Sequence, residues 1–474
     1  MSKESRLMKN TLILSIGTIA TKVISFLIVP LFSRKLSLDD YGQFDILYTY
    51  ISLLVPIISL SVGEGAFRHL LDVEKDGERN EVVSNSSIIF LTSAVLGIVL
   101  VTVFTNDFTY KMFFLLLLIF NAIFEYLMYV LRGIKQLKLY TVASIIYMLF
   151  MSVVSLTLLY IVKTGAKGLF IGYTVGYIVA IIVICGLTKF YRYIDMKTIS
   201  WRLDKKLILY SLPMIPNAIS WWIANASDRT IINYAIGTEG NAIYAIANKI
   251  PAICTAFYSV FHLSWQQSVS EEVGSEGFIM FINSVFNKIL IFLLTISSGI
   301  LSINFLLFRY VFDSRYESSY YHVAILLTAV LFSTISTYIG GLFISIKKTS
   351  WNGSTTVCAA IVNIIINLIF VNRVGLFAAS GSTLVAYVVL FVIRKKLIDK
   401  TYRLKISKKV IPYIVLYSYF IIMQYLNINI MNYINILFAS VACLYGNKEL
   451  VFTIIKKLEI KNKYKSMFLK NKLD

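Results

Sequence analysis

Histidine and cysteine are scarce in this sequence of 474 residues, which contains three His and four Cys. The cysteines all lie in apolar stretches and show no C-x-x-C or Cys/His spacing, which argues against structural disulfides and a zinc site. The three histidines are too scattered along the chain to support a metal centre. We therefore expect no metal site and no cofactor.

Long polar segments are also lacking. Hydrophobic residues make up 58% of the chain, and the mean hydropathy is +0.75, which is far above the range of soluble domains. We count about fourteen apolar segments of about 18–25 residues, each long enough to span a bilayer core. The longest connection on the predicted outer side, residues 309–322, leaves little room for the catalytic loop of a membrane glycosyltransferase or polymerase. We therefore expect a membrane protein that is not an enzyme.

Acidic residues are the scarcer charge, with 25 Asp and Glu against 45 Lys and Arg and a net charge of +20. Such an excess can indicate nucleic-acid binding, but here the basic residues lie beside apolar segments, mainly on alternate connections. This placement indicates membrane topology, with both termini in the cytoplasm and no nucleic-acid partner. The first apolar segment follows Lys3, Arg6 and Lys9 and is too long for a signal-peptide core, so we expect an uncleaved span.

The predicted spans fall into three groups, six over residues 11–188, six over 207–393 and two over 410–452. Tyr41-Gly42 and Glu239-Gly240 each precede an apolar segment, and the start of the sixth span at Gly168 matches the start of the twelfth at Gly375. These matches predict a parallel repeat, and transporters place substrate between such halves. The predicted domains are an N-terminal six-helix lobe (1–195), a C-terminal six-helix lobe (196–398), an additional helix pair (399–455) and a basic cytoplasmic tail on anionic lipid (456–474).

The most distinctive stretch of the chain runs from Ser211 to Pro251. Its marks are S-L-P-M-I-P-N from Ser211, Trp221-Trp222, Ser227-Asp228-Arg229, Gly240 and Lys249-Ile250-Pro251, supported by Arg132-Gly133 and Asn363-x-x-x-Asn367. This set resembles the polysaccharide (O-antigen and capsule repeat-unit, Wzx-type) flippases of the multidrug/oligosaccharidyl-lipid/polysaccharide exporter superfamily, over roughly residues 8–400. One departure is Gly375-Leu-Phe-Ala-Ala379, where the family usually has a Gly-Ala-Ala run.

The resemblance implies an all-α integral membrane fold in which two six-helix lobes form a V-shaped cavity and two extra C-terminal helices lie outside it. It implies alternating access that moves an undecaprenyl-diphosphate-linked oligosaccharide across a bacterial cytoplasmic membrane, with coupling to H⁺ or Na⁺. The implied partners are the lipid-linked oligosaccharide, membrane lipids, and a polymerase and glycosyltransferases of the same pathway. A lipid II flippase and a multidrug exporter of the same superfamily are the alternatives.

Four basic residues in the apolar segments are candidates for binding a diphosphate, because ionisable groups at membrane depth usually face a cavity or a partner. They are Lys22, Arg229, Lys249 and Lys288. Several moderate cation sites can replace the hydration of an anionic head group as it slides across. The alternatives are a snorkelling or locally paired Lys22, a solvated helix end at Arg229 and an edge lysine at position 288.

Three carboxylates, Glu64, Glu125 and Asp228, are candidates for ion coupling. Burial would raise the pKa of Glu125 and let it accept a proton, although it could equally pair with a neighbouring lysine. Glu64 is spaced to bridge to Arg68 along its own helix. Asp228 and Arg229 point about 100° apart on one helix and need not pair with each other.

Pro213 and Pro216 fall inside the seventh predicted span. Proline removes a backbone hydrogen bond and bends a helix, and broken helices recur where transporters hinge. These residues are therefore candidates for a hinge, the alternative being a helix that begins after Pro216.

Overall fold

The computed structural model describes residues 3–73, 75–104, 109–346 and 348–448, and seventeen α-helices account for most of this part of the chain. The predicted basic tail, 456–474, lies outside the described residues. The helices are α1 (Lys3–Lys35), α2 (Leu38–Ile58), α3 (Val62–Leu71), α4 (Asp76–Phe104), α5 (Lys111–Gly133), α6 (Leu137–Thr157), α7 (Ala166–Thr188), α8 (Trp201–Ser211), α9 (Met214–Ala235), α10 (Thr238–Lys249), α11 (Pro251–Glu272), α12 (Phe278–Leu306), α13 (Ser319–Ser345), α14 (Thr349–Val374), α15 (Leu376–Asp399), α16 (Ile411–Leu426) and α17 (Asn429–Gly446).

Eleven of the described helical segments are long and apolar enough to cross a membrane, and the bent pair α8–α9 makes a twelfth if it counts as one span. The all-α membrane fold is therefore confirmed, and the chain is a multi-pass membrane protein. The two other predicted spans coincide with α1 and with α10–α11, so the total of fourteen stays a prediction.

Three predicted spans are broken by prolines or strained turns. The second divides into α2 and α3 after Pro56, where Leu60 and Ser61 both have a φ of 48° in the left-handed region. The eighth divides into α10 and α11 at Pro251. Because a proline has no backbone N–H, Pro251 cannot donate the helical hydrogen bond to the carbonyl oxygen of Ala247.

The seventh predicted span divides at the turn that contains Pro213, between α8 and α9, and Pro216 lies in the first turn of α9. A bend of 56° separates Trp201–Ile223 from Ala226–Ala235. The largest change of direction thus lies beyond both prolines, and their role as a hinge stays a prediction.

Two sets of helices pack mainly within themselves. In the first, α6 packs on α7 and α1, and α5 packs on α7 and α3. In the second, α15 packs on α13 and α14, α13 on α11, and α14 on α9. The sets meet where α2 packs on α9 and α10, where α1 packs on α11 and where α8 packs on α3 and α4, while α16 and α17 lie against α12. The predicted domain boundaries stay predictions, but this packing brings α1, α2, α9 and α10 together at one place.

Candidate functional site

A small polar cavity lies where the two sets of helices meet. Its volume is about 100 Å³. We call it the interlobe cavity. The residues that line it are Ser25, Ile28, Val29 and Phe32 of α1, Tyr41, Phe44, Asp45 and Tyr48 of α2, Met151 of α6, Tyr173 of α7, Arg229 of α9 and Lys249 of α10.

An ion pair crosses this cavity from α9 to α2. The Arg229 guanidinium lies 3.2 Å from Asp45 Oδ2 and donates a hydrogen bond of 2.9 Å to Thr49 Oγ1. The Asp45 side chain is only 8% exposed and that of Arg229 is 22% exposed. Since salt weakly screens a pair this deep, it is stronger than an exposed pair of the same length.

Lys249 adds a second cation to the interlobe cavity. Its ammonium group makes no hydrogen bond or ion pair with the residues that the structure describes, although Asp45, Arg229 and Lys22 are close enough to act on it electrostatically. Lys22, three residues before Ser25 on α1, is exposed and does not line the cavity. Of the four predicted cations, the structure therefore brings Arg229 and Lys249 together, with Lys22 at the edge.

A tight contact between α2 and α10 lies beside the cavity. A Cβ atom on Gly42 would lie 1.9 Å from the carbonyl oxygen of Thr238, so only glycine permits this approach. Asn241 donates to the carbonyl oxygen of Gly42 at 3.1 Å and to Asp45 Oδ2 at 3.3 Å. The repeat match predicted from the sequence pairs Tyr41-Gly42 with Glu239-Gly240, and these two segments lie against each other in the structure.

Further bonds join the two sets of helices at this same end of the molecule. The Arg34 guanidinium donates to the carbonyl oxygens of Tyr310 (2.6 Å) and Val311 (3.2 Å). Trp222 Nε1 donates to the carbonyl oxygen of Thr49 at 2.9 Å. The α1–α2 end of the interlobe cavity is therefore closed.

Arg315, in the connection between α12 and α13, extends this closure by donating to the carbonyl oxygen of Ser33 at 3.2 Å. Asp313 orients it by accepting a bond of 2.7 Å from Arg315 Nε. The same bond lowers the pKa of the Asp313 carboxyl below its usual value. The carboxylate consequently stays charged and in place at neutral pH.

Asp228 lies in a different place from its neighbour Arg229, inside the second set of helices. Its carboxylate accepts hydrogen bonds from Tyr244 Oη (2.8 Å), Thr383 Oγ1 (2.6 Å) and Asn367 Nδ2 (3.0 Å). Asn363 Nδ2 donates to Thr383 Oγ1 at 3.2 Å. We call these five residues of α9, α10, α14 and α15 the Asp228 cluster.

The carboxylates of Glu64 and Glu125 are near each other in the first set of helices, close enough to repel electrostatically. Tyr129 Oη donates to Glu64 Oε1 at 3.3 Å. The alternative pairing of Glu64 with Arg68 is wrong, because Arg68 bonds Asp72 at 2.6 Å. The alternative lysine partner of Glu125 is also wrong within the described part of the chain, where Glu125 makes no ion pair.

Lys288 is far from this constellation in the fold, since it lies on α12 in a groove formed with α16 and α17. Asp45 and Thr49 are residues of the site that sequence reasoning missed. Asp45 is an acidic residue in an apolar segment, three residues after Gly42, and the cost of burying a charge in such a segment was a signal that could have found it.

Two solved structures share this all-helical membrane fold. A structure of the lipid II flippase MurJ in an inward closed conformation has a TM-score of 0.70 at 15% identity, over 94% of this chain and 100% of that chain. An inward-facing multidrug resistance MATE family transporter of the MOP superfamily has a TM-score of 0.63 at 13% identity, over 81% of this chain and 98% of that one.

A family model described as polysaccharide biosynthesis protein matches residues 7–264, more than half of the chain. The chain therefore belongs to this family, and the predicted resemblance is confirmed. The comparison with curated proteins finds no match.

Proposed function

We propose that this protein flips undecaprenyl-diphosphate-linked oligosaccharide repeat units from the cytoplasmic to the outer leaflet of a bacterial cytoplasmic membrane, for the synthesis of a cell-surface polysaccharide such as O-antigen or capsule. The observation that carries the proposal is the pair of cations, Arg229 and Lys249, in one cavity between two packed sets of helices. A diphosphate needs such cations to replace its hydration, because charge-assisted hydrogen bonds are the strong ones in a desolvated site. Family membership supports the pathway.

The closed cavity of about 100 Å³ is too small for a disaccharide, so transport requires the two sets of helices to separate. With the predicted topology, the closed α1–α2 end faces outward. Substrate would therefore enter from the cytoplasmic leaflet and leave when the bonds around Asp45 and Arg229 break. This sequence of states is alternating access without an enzymatic step.

We further propose that the Asp228 cluster couples transport to H⁺ or Na⁺. The amide oxygens Oδ1 of Asn363 and Asn367 are buried without a hydrogen-bond partner among the described residues. An unpaired buried acceptor is costly, and two such oxygens beside a carboxylate suit a small cation, which takes oxygen ligands. A proton on Asp228 would also neutralise the buried carboxylate.

For Asp228→Asn we expect the loss of ion dependence. Purified wild-type protein should unfold at a higher temperature in NaCl than in equal choline chloride, because a ligand at 100 times its Kd stabilises by about 2.7 kcal/mol. The variant should show the same unfolding temperature in both salts. Glu125→Gln is the matched control and should keep the sodium effect. A sodium effect that survives in Asp228→Asn and disappears in Glu125→Gln would place coupling at Glu64 and Glu125 instead.

The proposed function is tested by deleting the gene in its host. Surface polysaccharide should be lost while lipid-linked repeat units accumulate in the membrane, and a plasmid copy should restore both. Genes for glycosyltransferases and a polymerase beside this gene would identify the pathway partners. Unchanged surface polysaccharide in the deletion strain would contradict the proposal.

A lipid II flippase is the second candidate, favoured by the similarity to MurJ over the full length of that chain. A lipid II flippase needs the same diphosphate-binding cations, so the cavity alone does not distinguish between the two candidate functions. Restored growth of a strain depleted of its own lipid II flippase would favour this candidate. A multidrug exporter for cationic drugs fits less well, because two cations, Arg229 and Lys249, line the cavity against the one carboxylate of Asp45 among the described residues.

A further inference from the structure

A second, larger concave surface lies away from the interlobe cavity. It is a groove of about 1880 Å³ between α12 and the pair α16–α17. Among the described residues, five basic side chains and one carboxylate, Glu276, line it. We call it the basic groove and define its cations as Lys288, Arg403, Lys405, Lys409 and Lys448.

The basic groove is preorganised by two asparagines of α12 that bind the extended segment 403–407. Asn283 donates to the carbonyl oxygen of Arg403 at 3.2 Å and accepts from the backbone N–H of Lys405 at 2.7 Å. Asn287 repeats the pattern with the carbonyl oxygen of Lys405 (3.0 Å) and the N–H of Ser407 (2.7 Å).

This attachment decides where the side chains of the segment lie. Leu404 is buried, at 2% exposure, while the flanking Arg403 and Lys405 are exposed and line the groove. The like charges are held close together by backbone contacts, so the arrangement favours an anion between them.

Exposed apolar side chains also line the basic groove. Met280 of α12 is 79% exposed, and Phe438 and Tyr445 of α17 are 48% and 67% exposed. A surface with clustered cations beside exposed apolar side chains matches an amphiphile with an anionic head group.

The groove is separate from the interlobe cavity. None of the described residues that line it belongs to α1, α2, α9 or α10, the helices that supply the cations and the ion pair of the interlobe cavity. It is built from the start of α12, the start of α16 and the end of α17, which the predicted topology places at the cytoplasmic side. Basic pockets between helices at that side are known to bind anionic lipid head groups.

We propose that the basic groove binds a phospholipid of the cytoplasmic leaflet through its anionic head group. Arg403, Lys405 and Lys409 contact the phosphate, and the acyl chains lie against Met280 and Phe438. Charge complementarity favours an anionic over a zwitterionic lipid, since a choline head group would place a positive charge beside the five basic side chains of the groove. The proposal needs the membrane fold and not the flippase function.

The test is native mass spectrometry of the purified full-length protein in detergent with phosphatidylglycerol or phosphatidylcholine. Wild-type protein should retain phosphatidylglycerol at least tenfold more tightly, about 1.4 kcal/mol. The triple variant Arg403→Gln, Lys405→Gln, Lys409→Gln should lose that preference. The matched control is Lys197→Gln, Lys205→Gln, Lys206→Gln, which removes the same charge from exposed sites outside the groove and should keep the preference.

Equal retention of the two lipids by wild-type protein, or equal loss in the two triple variants, would overturn the proposal. An isoprenyl diphosphate that displaces phosphatidylglycerol at equal concentration would also overturn it, by assigning the groove to transport substrate. If the groove triple variant does not stay monodisperse, Ala442→Trp fills the groove without a charge change and should lower retention of phosphatidylglycerol in the same way.

Discussion

Lys249→Gln is expected to lower export of the lipid-linked oligosaccharide about tenfold to a hundredfold. Lys249 lines the interlobe cavity and has no partner among the described residues, so its charge is available to an incoming diphosphate. A hydrogen bond to a charged group contributes about 1.5–3 kcal/mol, and each 1.4 kcal/mol is a factor of ten in affinity. Glutamine keeps most of the length of the side chain and removes the charge.

The measurement is surface polysaccharide per cell in a deletion strain that expresses each variant, with the amount of membrane-inserted protein determined in parallel. Lys167→Gln is the matched control, since Lys167 is an exposed residue of α7 outside the cavity. Lys22→Gln should have a smaller effect than Lys249→Gln because Lys22 lies at the edge of the interlobe cavity and does not line it. Wild-type export by Lys249→Gln and by Arg229→Gln would exclude a role for these cations in substrate binding.

The sequence was sufficient to predict the fold class, because a bilayer requires about 20 apolar residues per span and closed backbone hydrogen bonding in every span. Apart from the turn at Pro213, it did not predict where the helices break. The second predicted span stops at Ile58 and restarts at Val62 through two residues in the left-handed region. Neither residue is a glycine, so no local signal marked that turn.

The sequence predicted half of the site. Asp228 and Arg229 were found from one motif. Adjacent helical residues point about 100° apart, which explains why Asp228 lies in the Asp228 cluster while Arg229 pairs with Asp45. The partner of Arg229 depends on how α2 and α9 meet, which no local pattern encodes. Lys288 was predicted by the same reasoning, but it lines the basic groove and not the interlobe cavity.

The second large effect is expected from breaking the ion pair between α2 and α9. Asp45→Asn leaves the largely buried Arg229 without its carboxylate, and removing one partner of a buried pair costs about 3–5 kcal/mol. That cost falls on the closed arrangement alone, because the pair separates when the α1–α2 end opens. A shift of about 3 kcal/mol changes the ratio of closed to open molecules by more than a hundredfold.

Opening can be measured as the reaction rate of a cysteine at Ser25, which lines the closed cavity, with an impermeant thiol reagent added from outside. The four native cysteines, Cys185, Cys254, Cys358 and Cys443, are replaced by alanine for this purpose. Asp45→Asn should increase the rate at least tenfold.

A double-mutant cycle separates loss of the pair from general loosening. If the pair holds the end closed, the double variant Asp45→Asn, Arg229→Gln should react more slowly than the two single effects combined predict, because removing the second partner also removes the unpaired buried charge. Additive effects would mean that each residue acts through other contacts, Asp45 through Asn241 and Arg229 through Thr49. Unchanged rates in both single variants would show that the Gly42–Thr238 approach and the Arg34 bonds hold this end closed without the ion pair.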